Sequence, residues 1–228
     1  MSEFSDPAPI NPLPPVVIVL FAAIAIPEVI FMLGGLGWIG GPEAIGWRLG
    51  AIQSYGFSGE IFDWMVANQR WVPQQVQRLL SYPFVHVSFT SAVFAAVITL
   101  AMGKLVGEII GQIAVAVIFF GSTVFAAVVY AVLLDDPQWL IGAYPPAYGL
   151  IGGYSYIMWH RLTGTGRGQY RAFSLIAMLM GLQLLWGVFA DIGNGWVADL
   201  AGFFFGFGAS VALAPGGFTR FLATLRRN

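Results

Sequence analysis

The apolar residues of this chain do not alternate with polar ones at a strand or helix period. They run on in six long blocks, roughly Val16–Leu33, Phe84–Gly103, Ile109–Leu134, Tyr144–His160, Ala172–Phe189 and Val197–Leu213. A block of about 20 apolar residues matches the hydrocarbon thickness of a bilayer. Inside lipid, backbone N–H and C=O groups must pair within their own helix, so each block predicts a spanning helix. The pattern therefore predicts an all-α polytopic membrane protein with a six-transmembrane-helix bundle over residues 16–214. Residues 1–15 are acidic and proline-rich and lack a basic n-region. They are expected to form a disordered cytoplasmic tail before a retained helix, not a cleaved signal. Residues 215–228 are expected to form a second cytoplasmic tail.

The polar stretches between the blocks set the orientation. Lys104, Arg161, Arg167, Arg171, Arg220, Arg226 and Arg227 fall in connections two-three and four-five and in the C-terminal tail. The opposite short connections carry Asp135, Asp136 and Asp191 and no Lys or Arg. Positive residues mark the cytoplasmic side, which predicts that both termini are cytoplasmic. The first loop, residues 35–82, is external by parity although it carries Arg48, Arg70 and Arg78; its length is near the limit of the rule. After the glycine-rich lead Gly34–Pro42, this loop predicts two short helices, Pro42–Gln53 and Ser58–Gln69, with Ser58 as N-cap of the second and Asp63 in its early turns. Trp38, Trp47, Trp64 and Trp71 suit the headgroup layer. An ordinary amphipathic loop and an element lying sideways in the membrane both fit that pattern.

Composition agrees with the membrane class and removes several chemistries. The chain has 228 residues, 58% hydrophobic and 9% charged, with a mean hydropathy of +0.78, outside the soluble range. A net charge of −1 without a basic block gives no reason to expect nucleic acid as a partner. The absence of cysteine excludes disulfides, thiolate metal sites and a cysteine nucleophile. Two histidines, His86 and His160, do not make a histidine-rich metal site, so neither metal nor cofactor is expected. No internal repeat of about 20 to 50 residues is visible.

Three motifs, on blocks two, four and six, carry more specific information. Gln77-Arg78-Leu79-Leu80-Ser81-Tyr82-Pro83-Phe84-Val85-His86 precedes the second block, which closes on Gly103-Lys104-Leu105-Val106-Gly107-Glu108. The fourth opens on Gly142-Ala143-Tyr144-Pro145-Pro146-Ala147-Tyr148-Gly149-Leu150-Ile151-Gly152, and the sixth carries Ala198-Asp199-Leu200-Ala201-Gly202-Phe203-Phe204-Phe205-Gly206. In this order, over residues 77–213, they resemble the W-R-x-x-T-x-x-F-x-H, G-A-S-G-A-x-x-G-L-x-G and A-H-x-x-G-x-x-x-G signatures of rhomboid intramembrane serine proteases. Any one of these motifs alone is weak; their order on alternate blocks is the stronger signal.

The resemblance implies a catalytically degenerate member. Tyr144 stands where the family has its nucleophilic serine, and Asp199 where it has the partner histidine. Ser91 and Ala95 stand at the family's oxyanion-hole histidine and asparagine positions, and Pro145 brings no backbone N–H to the oxyanion. A phenol with a pKa near 10 is a poor replacement for an activated serine. Loss of one oxyanion donor alone costs ~10²–10³ in rate. With Tyr144 and Asp199 facing each other as in the family, the resemblance implies a direct Tyr144–Asp199 hydrogen bond. That bond either pins two helices or floors a polar cavity retained for recognition. A carboxylate near the middle of a span costs on the order of 3 kcal/mol on insertion scales, so Asp199 is expected to be paired, wet or protonated. Gly149 with Gly153, and Gly202 with Gly206, share helix faces and predict close packing of blocks four and six.

Other polar residues have plainer expectations. Glu28, after the kinking Pro27, is expected to reach lipid headgroups from the external end of the first block. His86 is expected to be a hydrogen-bonding strut to the first loop, and His160 to be solvated beside Arg161. Gly164–Gly168 reads as a flexible basic turn, since it lacks the strand, helix and lysine of a phosphate loop. Met178 and Met180 are packing or lipid-facing residues.

The resemblance implies a pseudoprotease, expected in a bacterial inner membrane, that meets membrane lipids and binds transmembrane segments of client proteins, in assembly, stability or quality control. The alternative is a divergent serine endopeptidase using Ser88, Ser91 or Ser155. A transporter is disfavoured by the scarcity of intramembrane charge.

Overall fold

The computed structural model describes residues 12–163, 168–189 and 193–217. Arg167, Asp191, Arg220, Arg226 and Arg227, most of both tails and most of the basic turn lie outside the described residues. Among the described residues the chain forms ten α-helices. They are α1 (Pro15–Gly35), α2 (Trp47–Tyr55), α3 (Gly59–Ala67), α4 (Pro73–Val76), α5 (Arg78–Ser81), α6 (Phe89–Ile109), α7 (Gln112–Leu133), α8 (Tyr144–Leu162), α9 (Ser174–Phe189) and α10 (Gly195–Leu213).

Four of these helices, α1, α6, α7 and α10, are long and apolar enough to cross a membrane, with mean hydropathies of 2.8, 1.8, 2.4 and 1.6. α8 falls short of that mark for a physical reason. Twelve of its nineteen residues are buried, among them Pro145, Tyr148, Ser155 and three glycines. A helix that meets protein on most sides has no need of a lipid-like surface. α9 is described over sixteen residues, shorter than α1, α6, α7, α8 and α10.

Helix starts follow local chemistry. α1 opens on Pro15 and continues through Pro27. It ends in a glycine segment where Gly37, Gly40 and Gly41 all take positive φ, a conformation glycine adopts without a steric penalty. The first helix expected in the loop divides into a 3-10 turn, Gly41–Gly46, and α2. Ser58 Oγ accepts the Ile61 N–H at 3.4 Å and caps α3. α6 starts at Phe89, not at Phe84. Tyr82–Phe84 is a 3-10 turn, and Ser88 Oγ takes the Ser91 N–H at 3.2 Å as N-cap.

The first loop is fixed to the helices below it. Phe57, Phe62, Met65 and Tyr82 are buried against Ala126, Ala127, Tyr130 and Ala131 of α7. Phe57 and Leu140 exchange backbone hydrogen bonds of 3.0 and 2.8 Å, joining this loop to the segment that leads into α8. Trp38, Trp47, Trp64 and Trp71 remain exposed.

α8 is the central helix, and its most extensive contact is with α10. Apolar side chains gain little from leaving lipid for protein, so membrane helices associate through close packing of small residues. A Cβ on Gly206 would collide with the Gly149 carbonyl, one on Gly202 with the Pro145 carbonyl, and one on Gly152 with the Phe203 carbonyl. Gly153 instead faces Ser210 of α10 together with Ile118 and Val106. Ser122 of α7 donates to the Gly202 carbonyl at 3.1 Å, and Ser210 to the Gly206 carbonyl at 2.7 Å.

Candidate functional site

The N-terminal end of α8 is built by contacts from three directions. Gly142, at φ 91°, donates its N–H to the Tyr82 carbonyl at 3.0 Å. The Ala143 N–H then donates to His86 Nε2 at 3.1 Å, which satisfies a backbone donor at the helix entrance. As an acceptor at Nε2, a neutral His86 carries its proton on Nδ1. Burial and the nearby Arg48 charge push its pKa down to about 4. His86 is therefore neutral at pH 7 and committed to the backbone.

Arg48 completes this support. Its Nη1 donates to the His86 carbonyl and to Glu28 Oε2, each at 2.9 Å, and its Nη2 pairs with Glu28 Oε1. The guanidinium lies 5.5 Å from the centre of the Phe31 ring. Glu28 is only 3% exposed, so the expectation that it reaches headgroups is corrected. The first loop folds Arg48 over α1, and a bidentate ion pair replaces solvation. Arg78 anchors the same loop. It donates to the Gln53 carbonyl at 2.8 Å and the Gly56 carbonyl at 3.3 Å, and lies over the Trp139 ring. Burial lowers its pKa.

Below this entrance lie the polar residues of α6, α8, α9 and α10. Tyr144 is half-buried, and its hydroxyl faces the Ser91 side chain. Tyr148, one turn on, donates its hydroxyl to Gln183 Oε1 at 3.3 Å, and Gln183 Nε2 donates to Asp199 Oδ2 at 3.0 Å. The direct Tyr144–Asp199 hydrogen bond is thus corrected: an amide from α9 takes the carboxylate, and Tyr144 turns toward α6. Gln183 was missed in the sequence, although a lone amide in the apolar run Leu175–Phe189 was its signal. Asp199 is 4% exposed. It lies four residues into α10, roughly 6 Å below the helix start by helix rise, not at mid-span.

The remaining predicted positions scatter. Ala95 is buried with Val17, Leu20 and Ile24 of α1 and Leu150 of α8. Pro145 lends its carbonyl to the Gly202 contact. Ser88 is spent as a cap, and Ser155 is fully buried with no hydrogen-bond partner for its hydroxyl. His160 stands sixteen residues beyond Tyr144, roughly 24 Å along α8, exposed and edge-on to Tyr156 at 4.6 Å. Neither histidine hydrogen-bonds a side-chain hydroxyl among the described residues.

A family model for the rhomboid domain matches residues 73–216. The chain belongs to the rhomboid family. No curated protein matches the sequence. The matched rhomboid domain runs from α4 through α10, and with its apolar helices it makes this an integral membrane protein. α1, α2 and α3 precede the matched residues, yet the Glu28–Arg48–His86 contacts and the Phe57–Leu140 bridge tie them to it.

Proposed function

We propose that this rhomboid protein is a six-span pseudoprotease that binds transmembrane segments of other membrane proteins. One observation carries the proposal: among the described residues, no hydroxyl near the α8 entrance is hydrogen-bonded to a base. Serine nucleophiles need an adjacent general base within hydrogen-bond reach. His86 Nε2 is occupied by the Ala143 N–H, and His160 is at the far end of α8. Tyr144 and Asp199, at the family's nucleophile and base positions, do not pair: the Gln183 amide takes the carboxylate, and the Tyr144 hydroxyl faces Ser91. With the chemistry gone, a fold that admits helices from the side retains non-covalent capture. On this reading α8 and α9 complete six spans in a bacterial inner membrane, both termini are cytoplasmic, and the exposed loop tryptophans meet lipid headgroups.

A fluorophosphonate probe tests the proposal. Purified protein in bilayers should remain unlabelled, and membrane-anchored reporter substrates should stay intact. Labelling that maps to Ser88, Ser91 or Ser155, with reporter cleavage, would establish the alternative of a divergent serine endopeptidase.

A further inference from the structure

α9 is the loosest membrane helix among the described residues. Its contacts are sparse and go mainly to α8 and the 3-10 turn Gln169–Phe173. Ile176 and Met180 pack on Tyr148, Ile151 and Phe203, and Gln183 continues the same face. Met178, Leu182, Leu184 and Leu185 point outward and are exposed. Behind this helix the Gln183 amide is the hydrogen-bond partner of Asp199.

Glu28 and Asp199 are both buried carboxylates within membrane helices, but they are satisfied differently. Glu28 has a cation of its own chain, Arg48. Asp199 has an amide, and among the described residues no cation pairs with it. Lys104 of α6 and Arg161 of α8 are thirteen and seventeen residues beyond Ser91 and Tyr144, roughly 20 and 25 Å away along those helices. Arg48 and Arg78 are engaged at Glu28 and at first-loop carbonyls. An intramembrane carboxylate gains most from a cation that pairs with it directly.

We infer that Asp199, latched by Gln183 behind α9, is a recognition site for a transmembrane helix carrying a single Lys or Arg about one turn inside the end that lies level with the start of α10. The client's basic side chain displaces the Gln183 amide and pairs with the carboxylate. Its apolar faces take the place of the few contacts α9 makes with α8. Charge complementarity at one depth supplies selectivity, while general apolar contact does not distinguish one span from another. This inference rests on the client-binding reading above.

Labelled single-span leucine–alanine peptides in nanodiscs, titrated against labelled full-length protein by energy transfer, test it. One peptide carries Lys one turn inside the matching end, one carries Lys at the opposite end, and one has no Lys. The matched Lys peptide should bind at least about tenfold tighter than the other two, the size of one charge-assisted hydrogen bond. Asp199→Asn should erase that preference, and Gln183→Leu, which removes the competing amide, should increase it. Equal binding of all three peptides would overturn the charge-selective site and leave client binding standing. Absence of binding by every peptide would overturn both. Should Asp199→Asn not fold, the three-peptide comparison on the unaltered protein still decides.

Discussion

The Glu28–Arg48 pair lends itself to a quantitative test. Glu28 is buried in α1, and Arg48 brings it a bidentate partner while also holding the His86 carbonyl. Removing one member of a buried ion pair costs about 3–5 kcal/mol, because the other charge is left unpaired. For a protein of this size that corresponds to a fall of roughly 10 °C in Tm. Arg48→Met should therefore lower the Tm in detergent by about that amount. Glu28→Gln should do the same, since it strands the guanidinium. The double variant Glu28→Gln/Arg48→Met should recover much of the loss, because neither charge then remains unpaired. Proteolysis should begin in the Gly37–Gly41 lead of the single variants, where the loop loses its tether to α1. Additive losses, or single-variant losses below about 1 kcal/mol, would refute the reasoning, since the pair would then behave as an exposed one.

Three further outcomes follow from the same contacts. Gly202→Leu should abolish monodisperse expression, because the side chain would enter the Pro145 carbonyl; normal yield on size exclusion would argue against the α8–α10 packing. His86 binds a proton only near pH 4 when folded but near 6.5 when unfolded, so stability should fall as pH drops from about 6.5 toward 4, by about 3 kcal/mol, and level off below. His86→Gln should flatten that dependence, and an unchanged slope would show that another group titrates. Ser155→Ala should be neutral or mildly stabilising in thermal melts, because it removes a buried hydroxyl without a partner. A loss of function with unchanged stability would instead assign Ser155 a chemical role.

The helices and their order were legible because lipid imposes long apolar runs, and the glycine pairs were legible because close helix approach needs them. The start of α6 was not, since Phe84 belongs by hydropathy to the run that follows, while Pro83 and the Ser88 cap hold the helix back to Phe89. Gly152 escaped notice for a related reason: it stands beside the Gly149–Gly153 pair but makes its own contact with the Phe203 backbone. Long-range polar pairing was the least legible. Glu28 and Arg48 are twenty residues apart, and Gln183 and Asp199 sixteen apart on different helices, so no periodicity joins them. α8 read as an ordinary span, but its burial allowed it a composition that falls short of one.

The central claim, capture of membrane segments without cleavage, is tested most directly by partner length. Native membranes would be cross-linked, the tagged protein recovered, and its partners sized, with the same partners followed in a deletion strain. The account predicts partners recovered at full length and depleted or unstable in the deletion strain. Fragments ending within a transmembrane segment, present with the protein and absent without it, would contradict it.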